Sequence, residues 1–253
     1  MSFVNSNKDL FSQHSDKYAA FRPTYPVDLY RFIYSHCKSF EVAWDCATGN
    51  GQAAQDLALK FNKVFATDFS EKQIQNSVVQ ENIIYSVCLA EKTPFADNTF
   101  DLITVAQAVH WLPFDTFYKE VKRVAKPNAA LAIWGYGLLS VHPEIDRLIT
   151  NFYTNIIGMY WDKERKYIDQ HYQTISFPFK EIPTAEFEMI FEWTLQELEG
   201  YLNTWSAVQK FSKVNQFNPV NELIELIKMH WRNKMMRVRF PLFLRLGTVS
   251  KEI

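Results

Sequence analysis

Two glycines one residue apart, Gly49 and Gly51, follow directly on the apolar run Val42-Ala43-Trp44, in the stretch Asp45-Cys46-Ala47-Thr48-Gly49-Asn50-Gly51. The chain has only 7 glycines in 253 residues, about 3% against a usual level of roughly 7%, so their positions carry information. A strand that ends in a glycine turn and opens a helix brings backbone N–H groups and a positive helix end to whatever lies in the crevice. A Cβ there would block close approach. Gly49-Asn50-Gly51-Gln52-Ala53-Ala54 satisfies G-x-G-x-x-G/A, and Asp68 lies near the roughly 20-residue offset of an acidic ribose ligand. Asp68 offers one carboxylate to two ribose hydroxyls, and Phe69 beside it offers a ring to a purine face. These residues suit an adenosine ligand or a dinucleotide equally. A glycine turn with no ligand, and Phe69 as plain packing, are the bland alternatives.

From residue 40 to residue 135 short apolar runs alternate with amphipathic stretches, the pattern of βαβ units. The spacing predicts strands at about 42–47, 64–68, 83–88, 101–106 and 129–135, and helices over 51–60, 71–79 and 114–126. Lys126-Pro127-Asn128 stops the last of these helices. The result is an α/β fold with a doubly wound, mostly parallel sheet. Val141 to Tyr172, rich in Tyr, Trp and Ile, reads as an inserted helical cap. Beyond it a strand is expected at Glu186–Trp193, one helix over Leu195–Phe211 and another over Asn221–Met236. Met236 to Thr248 alternates apolar and basic residues and reads as a final strand, antiparallel at an edge or in a hairpin, with Pro241 at an edge or bulge.

Charge and cysteines narrow the function classes. Lys+Arg 27 against Asp+Glu 28 leaves −1, no field for a phosphate backbone, so no nucleic-acid partner is expected. Cys37, Cys46 and Cys88 have no C-x-x-C spacing, and His142 and His171 lack acidic companions, so neither a disulfide framework nor a metal is expected. Met1 to Ala20 carries Asn5, Lys8, Asp9, His14, Asp16 and Lys17, leaving no apolar run for a signal peptide, and no segment offers the roughly 20 apolar residues of a membrane helix. A cytoplasmic protein with no membrane partner is the expectation.

Three spaced stretches carry a resemblance: Trp44 to Gly51, then Ala66-Thr67-Asp68-Phe69-Ser70, then Ala90-Glu91-Lys92-Thr93-Pro94-Phe95-Ala96-Asp97-Asn98-Thr99-Phe100-Asp101-Leu102-Ile103. In that order they resemble the class I S-adenosylmethionine-dependent methyltransferases, in particular the type 11 group of small-molecule enzymes. The flanks Tyr18 to Pro26, His110-Trp111, Tyr160 to Arg165 and Leu202 to Ser206 look, more loosely, like trans-aconitate methyltransferase-like proteins. The resemblance implies a Rossmann-like methyltransferase fold with a seven-stranded sheet and a helical cap. It implies one domain over 1–253, with an N-terminal helical lid at 1–40, a cofactor-binding core at 41–137, the cap at 138–185, and strands and helices completing the sheet at 186–253.

The resemblance also implies S-adenosyl-L-methionine as cofactor. Asp45, Ala47, Gly49 and Gly51 would run under its methionine part, Asp68 would bind the ribose, Phe69 would flank the adenine, and Ala90 and Glu91 would meet the adenine edge. Gln107 would face the amino-acid end and Arg22 the cofactor carboxylate. His110, Trp111 and Tyr18 would approach the methyl group or a small-molecule acceptor. Ala47 stands where the family usually has glycine, which is compatible with binding if that residue keeps φ < 0.

Methyl transfer needs the acceptor held in line and water excluded. Tyr18, Trp111, Tyr136 and Trp161 are the aromatic pocket candidates. A carboxylic acid acceptor needs no base and suits Arg22 or Arg165, whereas a phenol or amine needs one, for which His110 is the candidate. The competing classes are an NAD-dependent oxidoreductase, favoured by the strict glycine pattern, and a cofactor-binding but inactive interaction protein.

Overall fold

The computed structural model describes residues 24–251. They fall into two compact units: Thr24–Gly137 with Lys166–Phe187 and the chain from Leu242, and Leu138–Arg165 with Glu188–Pro241.

The first unit begins with α1 (Val27–Ser35), then runs β1 (Val42–Cys46), α2 (Gln52–Ala58), β2 (Lys63–Asp68), α3 (Glu71–Gln75), β3 (Ile83–Val87), β4 (Phe100–Ala106), a 3-10 turn at Val109–Trp111, α4 (Phe114–Val124) and β5 (Ala125–Tyr136). β1 pairs in parallel with both β2 and β4, while β3 adds to β2 and β5 to β4. Consecutive crossovers therefore wind outward in opposite directions from β1 and β4. In open α/β sheets that reversal opens a crevice at the carboxyl ends of the two strands, where ligands bind. After α6 (Arg165–Asp169, whose remaining residues from Lys166 lie in this unit) and β6 (Lys180–Ile182), residues 242–249 of β8 (Met236–Val249) pair antiparallel with β5 and with β6. Pro241 has no N–H to give, and the β5 register starts at the next residue, Leu242 opposite Tyr136.

Along the path β3-β2-β1-β4-β5-β8-β6 the sheet has the seven strands expected, and β7 (Phe187–Trp193) pairs with β8 as an eighth. Its core is aromatic. Trp44 is fully buried beside Phe95, Phe100 and Phe117, with ring centroids 5.7, 5.8 and 6.4 Å away, and its indole N–H donates to Thr67 Oγ1 at 2.8 Å. A fully buried ring of this size contributes several kcal/mol, so Trp44 ties β1 to the strand on one side and α4 on the other.

The second unit carries α5 (Pro143–Asn151), a π-type turn at Phe152–Ile156, a 3-10 turn at Gly158–Tyr160, α7 (Leu195–Asn203), α8 (Ser206–Asn215), α9 (Val220–Lys228) and most of β7. The helix expected over Leu195–Phe211 is two. Thr204 Oγ1 bonds back to Tyr201 O at 2.6 Å, and Trp205 turns extended (φ −67, ψ 129). Its ring there meets Tyr153, Trp161 and Tyr201 at 5.8, 5.6 and 5.9 Å. Burying that indole outweighs one more turn of helix. The helices expected to 79, 126 and 236 stop at Gln75, Val124 and Lys228. Pro127 does not begin a loop but lies inside β5, with Asn128 in the left-handed region (φ 63).

Candidate active site

The end of β1 is built around a buried acid. Asp45 is 1% exposed, and its carboxylate accepts from Thr48 Oγ1 at 2.5 Å and from Thr104 Oγ1, on the adjacent β4, at 2.8 Å. Burial pushes its carboxyl from the usual 3.8 up to about 6, against the opposing pull of the Thr48 and Thr104 hydroxyls and the Ala54 backbone, with the charge of Asp68 adding to the rise. A folded-state value above the unfolded one means that the group's contribution to stability is full below pH 3.8 and is lost as pH rises through 6. Asp45→Asn, neutral throughout, should therefore gain about 2 to 3 kcal/mol on the wild type between pH 4 and pH 7 in the ligand-free protein. Urea unfolding of both proteins across that range checks this, and a difference that does not change with pH contradicts it.

Three of the next six residues are left-handed: Ala47 (φ 55), Gly49 (φ 59) and Gly51 (φ 88). Ala47 does not keep the φ < 0 expected of it. The cause is local: Thr48 must deliver its N–H to Thr67 O at 2.9 Å on β2 while its hydroxyl reaches back to Asp45. That reversal, which costs an alanine about 1 kcal/mol, stores strain at the turn. The N–H groups of the turn are also more committed than the glycine pattern implies. Gly49 N donates to Asp68 Oδ2 at 2.9 Å and Gly51 N to Thr48 O at 3.0 Å.

Asp68 closes β2. Its other oxygen accepts from Ser70 N at 2.9 Å, and Ser70 in turn caps α3. A carboxylate has about four acceptor sites, of which a ribose diol would use two. Phe69 is 42% exposed. Cys88 N donates to Asp68 O at 3.0 Å, which brings the end of β3 alongside and leads into the tight turn Leu89–Lys92 that holds Ala90, buried, and Glu91, half-buried. Glu120 and Arg123 of α4 clamp the far side of this stretch: Thr93 N donates to Glu120 Oε1 at 2.8 Å and Arg123 Nη1 to Phe95 O at 2.7 Å.

At the ends of β4 and β5 the Gln107 amide accepts from Tyr136 N at 2.8 Å through Oε1 and is itself left-handed (φ 54). The structure thus commits this side chain to the Tyr136 backbone. His110 is buried with Nδ1 3.0 Å from the Tyr172 hydroxyl, and Trp111 beside it is 39% exposed. Tyr136 is buried. In the other unit Trp161 lies under Arg165, whose guanidinium is 4.7 Å from its ring centroid and whose Nε donates to Tyr153 OH at 2.7 Å. Tyr18 and Arg22 lie outside the described residues. Sequence reasoning missed Thr48 and Thr104, which hold Asp45, and Tyr172 and Arg245, since threonine on a strand and tyrosine in an aromatic-rich segment give no pattern that separates them from packing.

One atom tests whether these residues suit an adenosyl ligand. Asn50 Oδ1, in the glycine turn, is buried with no hydrogen-bond partner among the described residues. A buried acceptor left unmade is costly, and a ligand with ammonium and hydroxyl donors would satisfy it. Residues 44–133 match the methyltransferase domain family. A Dictyostelium discoideum protein named as a methyltransferase is 34% identical over 248 residues, 94% of each chain. The chain belongs to the class I S-adenosylmethionine-dependent methyltransferases. The methyltransferase cfoB of Aspergillus candidus is 24% identical, covering 88% of this chain and 79% of its own length. A solved structure described as a type II methyltransferase from Anaeromyxobacter dehalogenans is 33% identical with a TM-score of 0.86, over 91% of this chain and 99% of that one. S-adenosylmethionine is thus the cofactor of this methyltransferase, and the oxidoreductase reading falls away. No helix among the described residues is long and apolar enough to cross a membrane.

Proposed function

We propose that this methyltransferase methylates a small molecule, and that the acceptor oxygen belongs to a carboxylic acid. When bound, the cofactor supplies an electrophilic methyl group on a positively charged sulfur. The chain's own residues then have three tasks. The Asp45–Gly51 turn, Asp68, Phe69, Ala90 and Glu91 hold the adenosyl and methionine parts, and Gln107 keeps the ends of β4 and β5 in register beside them. His110 and Trp111, at the crevice end of β4, meet the acceptor. Buried aromatic rings exclude water and tolerate a cation.

The observation that carries the small-molecule reading is that His110, at the carboxyl end of β4, is only 6% exposed. A side chain that deep is reached by a compact acceptor more readily than by a folded macromolecule. The carboxylic acid is supported by the flank resemblance and by chemistry, since a carboxylate is already ionised near pH 7 and needs no base.

The test offers methyl-labelled S-adenosylmethionine with small mono-, di- and tricarboxylic acids, phenols and amines, and separately with a protein and RNA extract. Label on a carboxylic acid, released as methanol by alkali, is the expected result. Alkali-stable label on phenols or amines, or label only on macromolecules, contradicts the proposal.

A further inference from the structure

Residues 88–99 join β3 to β4 with no helix or strand among them beyond the single bridge of Leu89 to Lys92. A connection of that kind must find partners for its backbone elsewhere. Two side chains of α4, one turn apart, supply them. Glu120 Oε1 accepts from Thr93 N at 2.8 Å and from Thr93 Oγ1 at 2.6 Å. Arg123 donates from Nη1 to Phe95 O at 2.7 Å and from Nη2 to Thr93 O at 3.3 Å. The two side chains hold each other as a fork, Nε to Oε2 at 2.9 Å and Nη2 to Oε1 at 2.6 Å. Their helix is fixed in turn by Phe117, Val121 and Val124, all fully buried.

These bonds fall where they fix the turn that carries Ala90 and Glu91. On its leading side Cys88 N donates to Asp68 O at 3.0 Å. On its trailing side Thr93, the residue after the Leu89–Lys92 bridge, is locked to Glu120. Four residues are thus slung between the end of β2 and α4, and Ala90, the buried one, packs in the same cluster as Phe117 and Val121. An adenine edge presents an amino donor beside ring-nitrogen acceptors, which a carboxylate and a backbone N–H complement. A base with an oxo group in place of the amino group presents an acceptor to that carboxylate. Telling the two apart requires the turn to be held at hydrogen-bond distance from the base.

We propose that Glu120, braced by Arg123, is a positioning residue for base recognition: through Thr93 it sets the Leu89–Lys92 turn against the adenine edge, and so sets the site's preference for adenine over a 6-oxo base. The proposal rests on the reading that Ala90 and Glu91 meet the adenine. Glu120 acts through the main chain of the turn, not by contact with the cofactor. Loosening the clamp costs the base contact and leaves the ribose and methionine parts to Asp68 and the Asp45–Gly51 turn.

The test is calorimetric affinity for S-adenosylhomocysteine and for S-inosylhomocysteine, which differs in carrying the oxo group. The ratio of the two affinities is the readout, since partial unfolding or a general loosening weakens both ligands alike and cancels. The wild type should favour the adenosyl ligand by about 10-fold or more, the worth of one hydrogen bond to a charged group. Glu91→Gln, whose amide can turn to accept from an amino group or donate to an oxo group, should bring the ratio within about 3-fold of unity. Glu120→Gln and Arg123→Lys should each lower the ratio by about 3-fold or more. Thr93→Val, which removes one bond to Glu120 and keeps the Glu120–Arg123 fork, should lower it by about 2-fold or more and supplies the readout if Glu120→Gln does not fold. A ratio unchanged in the Glu120, Arg123 and Thr93 variants, with both affinities falling together or not at all while Glu91→Gln abolishes the preference, overturns the proposal and leaves the reading standing. A wild-type ratio near unity, or one that Glu91→Gln leaves unchanged, removes the adenine contact on which the proposal rests, whatever Glu120→Gln does, so the two failures are told apart.

Discussion

Asp68→Ala should weaken S-adenosylhomocysteine binding by about 100-fold or more, because each hydrogen bond to an ionised carboxylate is worth roughly 1.5 to 3 kcal/mol and a ribose diol makes two. The same substitution strips the acceptors from Gly49 N and Ser70 N, which now sit 2.9 Å from the two carboxylate oxygens. The ligand-free protein should therefore also lose about 1 to 3 kcal/mol of stability, since buried donors are left unpaired. The two effects separate by measuring unfolding without ligand and calorimetric affinity with it. Asp68→Asn is the informative companion. It keeps the shape, but one oxygen becomes an NH₂ group facing a backbone N–H, so it too should lose stability while filling the same space. An Asp68→Ala protein that folds and keeps its affinity within a few-fold contradicts the placement of the ribose at Asp68.

Gly51→Ala should cost about 3 kcal/mol or more, combining a left-handed backbone with a steric clash. At φ 88 a side chain is strained whatever the space. Here the space is taken: an added Cβ would run into the Tyr85 hydroxyl and come within 2.8 and 2.9 Å of its Cε1 and Cζ. In a Tyr85→Ala background the Gly51→Ala change should cost only the backbone part, about 1 to 2 kcal/mol, and the double-mutant cycle reads the difference directly. A Gly51→Ala protein as stable as the wild type would show that the turn relaxes freely and that glycine is not required there.

The legible part of this fold was the part set by short-range pattern. Five strands between residues 42 and 136 announce themselves because each is an apolar run bounded by turn residues, and the antiparallel last strand does so by its alternation. The helix broken at Thr204-Trp205 was hidden, since its break comes from a buried indole cluster that Trp205 forms with Tyr153 and Trp161, far back along the chain. β6, only Lys180–Ile182, is too short to carry a period. At the site, Asp45, Gly49, Gly51 and Asp68 were readable because a tight turn and a carboxylate at a fixed offset leave a mark on sequence. The left-handed Ala47 was not, because its conformation is dictated by Thr48 reaching both Thr67 and Asp45. Nor were Tyr172 and Arg245, whose bearing on His110 depends on chain reversals at His171-Tyr172 that no periodicity describes.

The central claim is that the crevice at the ends of β1, β2 and β4 holds an adenosyl cofactor of the sulfonium type. Thermal and chemical unfolding of the wild-type protein with S-adenosylhomocysteine, with NAD, and with neither tests it most directly. A ligand at 100 times its dissociation constant should add about 2.7 kcal/mol. Stabilisation of that size by S-adenosylhomocysteine and none by NAD is the predicted result. Stabilisation by NAD alone, or by neither, would contradict it.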